Sequence, residues 1–308
     1  SGWSSTSVSR PDAAVGATIH MGIKPGSSAV VAPGEEFVYP TVFIGATHGD
    51  VEDSTNELHR WVEAKLRPPV PGGLTPLIVH NSWWIGMDVD KAKVQAMADV
   101  AIEAGMEMIH VDAGWFRAVG DWRPNPEKFP GNALRELSDY VHAHGMRFGL
   151  WVGWVQGGDR TAVGDATEPA LSVFNSTQNG WFPQIPQPAT GNTKFGEKYH
   201  NPGPFTGATM CLGSVDAQEW AVARLRQVIL DFDLDMLEHD QPIITHSGCD
   251  REGHHHVVND TTDSSRAAAQ GYYRVYDTVR NWSAVAHRPM FFEDCVNGGR
   301  VIDFGIVQ

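Results

Sequence analysis

The most constraining feature of this sequence is a repeated order, from about residue 75 onward, of short apolar segments and amphipathic helical stretches. Five apolar segments have the length of strands, and a helical stretch lies between each pair. Parallel strands need such covering crossovers, whereas antiparallel strands can be joined by tight turns. The alternation therefore predicts an α/β fold with a parallel sheet. The five predicted strands are LIVHNSWW, MIHVDAGW, RFGLWVGW, LDMLEHD and MFFEDC.

Residues 1–70 have a different character, with short β-prone runs separated by Pro-Gly, Ser and Gly-Asp turns. This punctuation is typical of a β-sandwich. Apolar residues then recur at helical spacing from Leu58 to Leu66, and RPPVPGG follows as a predicted linker. We therefore expect residues 1–70 to be the last part of a β-sandwich domain with its exit helix, and residues 71–308 to be a barrel. Because the sequence has no initiator Met and ends just after a motif-rich stretch, we expect truncation at both ends.

Polar or aromatic residues occur where each predicted strand ends, which is where α/β barrels carry their active sites. A doubly wound sheet also gathers polar groups at strand ends, but no Gly-rich phosphate loop follows any strand of this sequence. The pattern favours a (β/α)8 TIM barrel, incomplete because five strands are visible. The insertion at residues 155–209 is long enough to predict a functional lid or a disordered loop. The residues at the strand ends are Asn81, Asp112, Trp151, Trp154, Asp240, Glu293 and Asp294.

Charge and composition exclude several classes of partner and site. The formal net charge is -14, with 37 acidic against 23 basic side chains and no basic cluster, so nucleic acid is not an expected partner. No apolar run approaches the roughly 18 residues of a membrane span. Cys211, Cys249 and Cys295 are too few and scattered to predict a disulfide framework or a zinc site. We expect His254–His256 to be a solvated loop, because consecutive residues rarely converge on one ion, and predict no metal or cofactor.

Acidic side chains at the strand ends suit the hydrolysis of glycosides, which needs two carboxyl groups flanking the scissile bond. Any one acid, taken alone, more often caps a helix or solvates a loop. Tryptophans beside these acids favour a sugar-binding site, since aromatic faces pack against sugar rings. The candidate acids are Asp112, Glu238, Asp240, Glu293, Asp294 and Asp303, and the tryptophans are Trp83, Trp84, Trp115, Trp151 and Trp154.

From about residue 33 to its end, the chain resembles the melibiase-like enzymes of glycoside hydrolase family 36, best known as α-galactosidases. APGEEFVYPTVF and NELHRWV resemble the family's N-terminal sandwich and its exit. The resemblance implies a retaining hydrolase of terminal α-linked galactose-type sugars that acts on an oligosaccharide or glycoconjugate without a cofactor. The motifs that follow in the family's order are NSWW, VDAGWF, GDWRPNPEKFP, LSDYVHAHGMRFGLW, LDMLEHD and FEDCVNGGRVIDFG.

The resemblance also implies roles for individual residues. Asp240 matches the nucleophile at the end of its strand, and Asp303 matches the general acid/base of a Cys-x-x-Gly-Gly-Arg-x-x-Asp motif. Asp112 matches a carboxylate that accepts hydrogen bonds from sugar hydroxyls. The further substrate contacts that the resemblance implies are Trp83 or Trp84, Glu238, Cys295, Asn297, Gly298 and Arg300.

Three departures from the family pattern leave the sugar open. Ala113 stands where a second acid is typical, Gly153-Trp154-Val155 replaces Glu-Pro-Glu, and Glu238 replaces a basic residue. An α-N-acetylgalactosaminidase, another α-glycosidase or a transglycosidase are therefore alternatives, as is a carbohydrate-binding barrel without turnover. The sequence also leaves open the compartment, whether cytoplasmic, periplasmic or secreted, and the oligomeric state, including a homo-oligomer.

Overall fold

The computed structural model describes residues 5–9, 18–22, 28–39, 41–67, 77–118, 120–157, 181, 208–240, 249–258, 260–288 and 290–295. Within these ranges the chain forms eleven strands and five α-helices. The strands are β1 (Ser5–Ser9), β2 (Thr18–Gly22), β3 (Val79–Asn81), β4 (Met108–Val111), β5 (Phe116–Ala118), β6 (Asp121–Pro124), β7 (Arg147–Trp151), β8 (Gln156–Gly157), β9 (Ala208–Thr209), β10 (Met236–His239) and β11 (Phe291–Asp294). The helices are α1 (Val51–Lys65), α2 (Lys91–Glu103), α3 (Ala133–Ala143), α4 (Val215–Phe232) and α5 (Thr261–Val285).

The five predicted strands form one parallel sheet in the order β3-β4-β7-β10-β11. Each strand therefore pairs with the next sheet strand along the chain, with a helix between successive strands. A doubly wound sheet would reverse its strand order at a switch point, and the described strands show no such reversal. The prediction of an α/β fold of the barrel type is confirmed, with five of its strands described.

The crossover helices form where the sequence supplies both a cap and an apolar face. The carboxylate of Asp90 accepts the Lys93 N–H at the start of α2, and that of Asp260 caps α5 in the same way. In α3, Leu134, Leu137 and Val141 recur at helical spacing and are buried. Burial of each such side chain contributes about 1.5–3 kcal/mol, so the apolar face holds α3 to the sheet.

The loop after β4 carries an antiparallel hairpin, β5–β6, that the sequence did not predict. The strand predicted through Trp115 ends at Val111, and Gly114 then takes a positive φ of 116°. A Cβ at residue 114 would lie 2.7 Å from the Met87 carbonyl oxygen, so this turn needs glycine. The turn lets Trp115 fold back onto Trp122 of the hairpin, with 6.4 Å between ring centroids.

The N-terminal part of the chain contains an antiparallel hairpin, β1–β2, and the predicted exit helix, α1. A capping box of Asp50 and Asp53 starts α1, and Phe43 stacks on its Trp61. Residues 28–39 and 41–50 contain no strand. The β-sandwich assigned to residues 1–70 and the domain boundary at residue 70 remain predictions.

Strands β8 and β9 pair at the two ends of the long insertion, with Gln156 opposite Thr209. Most of the insertion lies outside the described residues, as does the predicted linker, so the lid interpretation stays a prediction. Among the described helices, none combines the length and apolar character that a membrane span requires.

Candidate functional site

The register of the parallel sheet brings the predicted acids to one level at its C-terminal edge. Glu238 of β10 lies opposite Trp151 of β7 and Glu293 of β11. His110 of β4 lies opposite Gly149, two residues before Trp151, which places Asp112 at the level of Glu238. Side chains of register partners project from the same face of a sheet. Three carboxyl groups therefore share this level, and Asp240 follows two residues after Glu238, just beyond the end of β10.

Glu238 occupies the centre of this acidic cluster. Its Oε2 lies 2.5 Å from Nε2 of His110, and both side chains are almost completely buried. The ligand atoms of His110, Asp112 and Glu238 all lie within 4.8 Å of one another. Those of Glu238, Asp240 and Cys295 are grouped equally closely. The Glu238 side chain thus lies close both to His110 and Asp112 at the end of β4 and to the residues that follow β10 and β11.

Burial and mutual repulsion raise the pKa of two of these acids. Burial, followed by the charges of Glu293 and Asp240, raises the pKa of Glu238 to about 8. Burial and the charge of Glu238 raise the pKa of Asp112 to about 6, although His110 opposes the rise. Burial lowers the pKa of His110. At neutral pH Glu238 is therefore mostly protonated and His110 is neutral, so their close contact is not an ion pair.

Local backbone geometry positions the residues at the end of β3 and β4. The Asp112 N–H donates to Oγ of Ser82 at 2.9 Å, and its Oδ1 accepts the Ala113 N–H at 2.6 Å. Oδ1 of Asn81 accepts the Trp83 N–H at 2.7 Å and caps a 3-10 helix, Ser82–Ile85. These hydrogen bonds fix the Asp112 carboxylate at the strand end, as predicted from its sequence position.

Gly149 of β7 makes room for the buried histidine. A Cβ at this position would lie 2.8 Å from Nδ1 of His110 and 3.0 Å from Cβ of Met236. Both neighbours are held in adjacent strands, so they cannot easily move away from a side chain at residue 149. Only glycine leaves room for the His110 side chain to reach Glu238. His110 was not among the sequence-predicted residues. Its place two residues before Asp112, on the same face of the strand, was the available signal.

Most of the predicted sugar-binding tryptophans pack into the core instead. Trp115, Trp151 and Trp154 are each at most 1% exposed. Trp115 donates its Nε1–H to the carbonyl of Trp151, whose ring stacks on Phe116. Trp154 stacks on Tyr272 of α5 at 5.3 Å, on the helix-covered side of the sheet. Their positions do not support a sugar cleft lined by these rings.

The other predicted contacts fall into three groups. Trp83 is half-buried and Trp84 is 70% exposed, so their rings remain accessible next to the end of β3. The Cys295 N–H donates to the His239 carbonyl and extends the pairing of β10 with β11 by one residue. Asn297, Gly298, Arg300 and Asp303 lie outside the described residues. The distance between Asp240 and Asp303 therefore stays a prediction.

A second cluster corrects an interpretation made from sequence spacing. Cys211, Cys249, His254 and His256 bring their ligand atoms within 4.8 Å of one another. The prediction that the cysteines are too scattered to share a site is wrong for Cys211 and Cys249. The prediction of a wholly solvated histidine loop is also wrong, because His254 and His256 turn inward while His255 is exposed.

Part of the chain is similar to a known protein family and to known α-galactosidases. Residues 36–155 match the family model described as Melibiase. Alpha-galactosidase Mel36A of Lactobacillus acidophilus is 31% identical over 127 residues, which are 39% of this chain and 17% of the relative. Probable alpha-galactosidase C of Aspergillus terreus is 23% identical over 309 residues, covering 94% of this chain and 36% of the relative.

A solved structure shows the same fold. The glycoside hydrolase family 36 α-galactosidase AgaA A355E D478A of Geobacillus stearothermophilus, in complex with stachyose, superposes with a TM-score of 0.62 at 19% identity. The match covers 81% of this chain and 32% of the AgaA chain. This chain spans only 17% and 36% of the two curated relatives named above.

Proposed function

We propose that this chain, a melibiase-like member of glycoside hydrolase family 36, is the catalytic part of a retaining α-galactosidase. The observation that carries the proposal is the set of carboxyl groups of Asp112, Glu238 and Asp240 at the C-terminal edge of the parallel sheet. In α/β barrels this edge holds the active site. The activities named for the relatives belong to proteins much longer than this chain.

In the proposed reaction Asp240 attacks the anomeric carbon and forms a covalent glycosyl-enzyme. Asp303 first protonates the leaving oxygen and then removes a proton from the attacking water, so the product keeps its configuration. Asp240 follows β10 directly and is partly exposed, which suits a nucleophile at the rim. A double displacement requires about 5–5.5 Å between the two carboxyl groups.

The neighbouring acids have supporting parts in this proposal. Glu238, with its pKa near 8, is protonated at neutral pH and adds no charge beside Asp240. Its close contact with His110, 2.5 Å between Oε2 and Nε2, brings β10 and β4 together at the base of the site. Asp112 lies at the same level and offers acceptor oxygens to sugar hydroxyls.

Two positions bear on the identity of the sugar. Buried Trp154 stacks on Tyr272 and gives no support to an N-acetyl pocket built on its ring. Ala113, where the family pattern has an acid, is the remaining motivation for an α-N-acetylgalactosaminidase. Transglycosylation shares the covalent intermediate and differs in the acceptor. A carbohydrate-binding barrel without turnover is the alternative outside enzyme function.

The test is an activity screen of the full-length protein against aryl α- and β-galactosides and the N-acetylgalactosamine analogues. We expect turnover of the α-galactoside, with the α-anomer as the first product in NMR spectra. Asp240→Asn should lower kcat by at least about 100-fold, since it removes the nucleophile. Asp139→Asn is the matched control, because Asp139 is an exposed acid of α3 whose ion pair with Arg135 contributes little.

Release of the β-anomer first would contradict retention. Equal activity of Asp240→Asn and Asp139→Asn would contradict the assignment of Asp240. Faster turnover of the N-acetylated analogue would move the substrate from galactose to N-acetylgalactosamine without changing the mechanism. Sugar binding without turnover of any glycoside would favour the carbohydrate-binding alternative.

A further inference from the structure

The cluster of Cys211, Cys249, His254 and His256 lies apart from the acidic site, between the segment that leads into α4 and the loop that leads into α5. Both cysteines are at most 1% exposed, and the two histidine rings are half-buried against them. Nδ1 of His254 lies 3.4 Å from Sγ of Cys249 and 3.1 Å from Nε2 of His256. Four side chains with metal-ligating atoms therefore converge on one small volume.

The spacing of these atoms matches a tetrahedral zinc ion. Zinc binds histidine nitrogen at about 2.0–2.1 Å and cysteine sulfur at about 2.3 Å. In a regular tetrahedron these bond lengths place two nitrogens about 3.3 Å apart and a nitrogen and a sulfur about 3.6 Å apart. The observed separations of 3.1 Å and 3.4 Å fall slightly inside these values. These two separations therefore need to grow by only a fraction of an ångström, and the other ligand pairs all lie within 4.8 Å.

Hydrogen bonds already hold the ligands in suitable orientations. Nδ1 of His256 lies 3.3 Å from the Val257 carbonyl, so a proton on Nδ1 leaves the Nε2 lone pair directed into the cluster. The Cys249 N–H donates to Oγ of Ser264, and the Val257 N–H donates to Asp263. These bonds tie the ligand loop to the first turn of α5, as the outer shell of a metal site does.

Gly213 allows the two segments to approach. A Cβ at residue 213 would lie 2.9 Å from Cδ2 of His256 and 3.3 Å from Sγ of Cys211. The Gly213 carbonyl accepts the His255 N–H at 3.0 Å, which pins the loop while His255 itself remains exposed. The alternation explains how neighbouring histidines can share an ion: His254 and His256 point one way and His255 the other.

We propose that Cys211, Cys249, His254 and His256 bind one zinc ion in a closed structural site. Four protein ligands leave no open position for water or substrate, which distinguishes structural from catalytic zinc. Both cysteines would bind as thiolates, and zinc binding would release their protons to solvent.

The proposed site would link two segments that are distant in the sequence. Cys249 follows Asp240 along the chain before α5 begins, and Cys211 precedes α4. Zinc would therefore join the segment before α4 to the loop before α5. The ion would stabilise the connection between these two elements and take no part in bond breaking.

The experiment measures zinc in the full-length protein, purified without chelators, by inductively coupled plasma mass spectrometry. We expect one zinc per chain. Cys249→Ser and His256→Ala should each lose zinc affinity by more than the 10–100-fold typical of an outer-shell partner. His255→Ala is the matched control, because His255 is exposed in the same loop and should keep full zinc content.

Cobalt substitution gives a second readout that does not depend on variants. Co²⁺ in the wild-type protein should show intense tetrahedral d–d bands and thiolate-to-cobalt charge transfer, and Zn²⁺ should abolish both. Absence of these bands together with zinc far below one per chain would overturn the proposal. A Cys211–Cys249 disulfide in the non-reduced peptide map would overturn it as well, since both thiolates would be consumed. The cobalt spectrum keeps the test decisive if a variant fails to fold.

Discussion

Replacing Glu238 with Gln should stabilise the protein increasingly as the pH rises from 5 to 8. The Glu238 carboxyl has an ordinary pKa of 4.5, and burial with the repulsion of Glu293 and Asp240 raises it to about 8 in the folded state. Between these values the unfolded chain has lost the proton while the folded chain still holds it. Folding stability therefore falls with rising pH in this interval, by about 1.4 kcal/mol per pH unit.

Integration over the interval gives a loss of up to about 5 kcal/mol at pH 8 relative to pH 4.5. A glutamine at this position does not ionise, and it has nearly the same size and shape as a protonated glutamate. We therefore expect Glu238→Gln and the wild type to have similar unfolding free energies near pH 5. At pH 8 the variant should be more stable by several kcal/mol.

The assay is urea unfolding of the full-length protein at pH 5, 6, 7 and 8, with the difference between variant and wild type plotted against pH. Glu136→Gln is the matched control, because Glu136 is an exposed residue of α3 paired with Lys91 at the surface. Its difference from the wild type should stay within about 1 kcal/mol at every pH. A flat difference for Glu238→Gln would refute the inference that Glu238 is buried and protonated in the folded state.

Two further substitutions test the account elsewhere. Asp303→Ala should lower kcat/KM by about 100-fold or more for substrates with poor leaving groups. For activated aryl galactosides it should spare the first step, which a pre-steady-state burst would show. Equal losses on both kinds of substrate would argue against an acid role. Gly271→Ala should destabilise the protein by at least about 1–3 kcal/mol in urea unfolding, because the added Cβ would lie 1.9 Å from the Leu212 carbonyl oxygen of a neighbouring segment. Gln270→Ala, at an exposed position of the same helix, is its control, and similar midpoints for the two variants would show that the contact can relax.

The elements that sequence analysis predicted well are those governed by local pattern. The alternation of strands and helices sets the parallel order of the sheet, and strand ends then fix where Asp112 and Asp240 lie. Glu238 was predicted near a sugar. Its raised pKa depends on burial and then on the charges of Glu293 and Asp240, and such an environment is not encoded in any single segment.

The features that sequence analysis missed depend on packing between distant segments. Trp151 and Trp154 follow a strand end and were predicted at the rim, but the β5–β6 hairpin and α5 cover their rings. Cys211 and Cys249 are separated by all of α4 and β10, so their approach cannot be inferred from spacing. The His-x-His alternation was visible in the sequence, because residues two apart in an extended segment face the same side.

Covalent trapping tests the central claim most directly. The full-length protein is incubated with a fluorinated α-galactosyl fluoride that forms the glycosyl-enzyme quickly and releases it slowly, and the labelled peptide is sequenced by mass spectrometry. The account predicts one galactosyl label per chain, on the side chain of Asp240, and no label in Asp240→Asn. A label on another carboxylate, or turnover of α-galactosides without any covalent adduct, would contradict it.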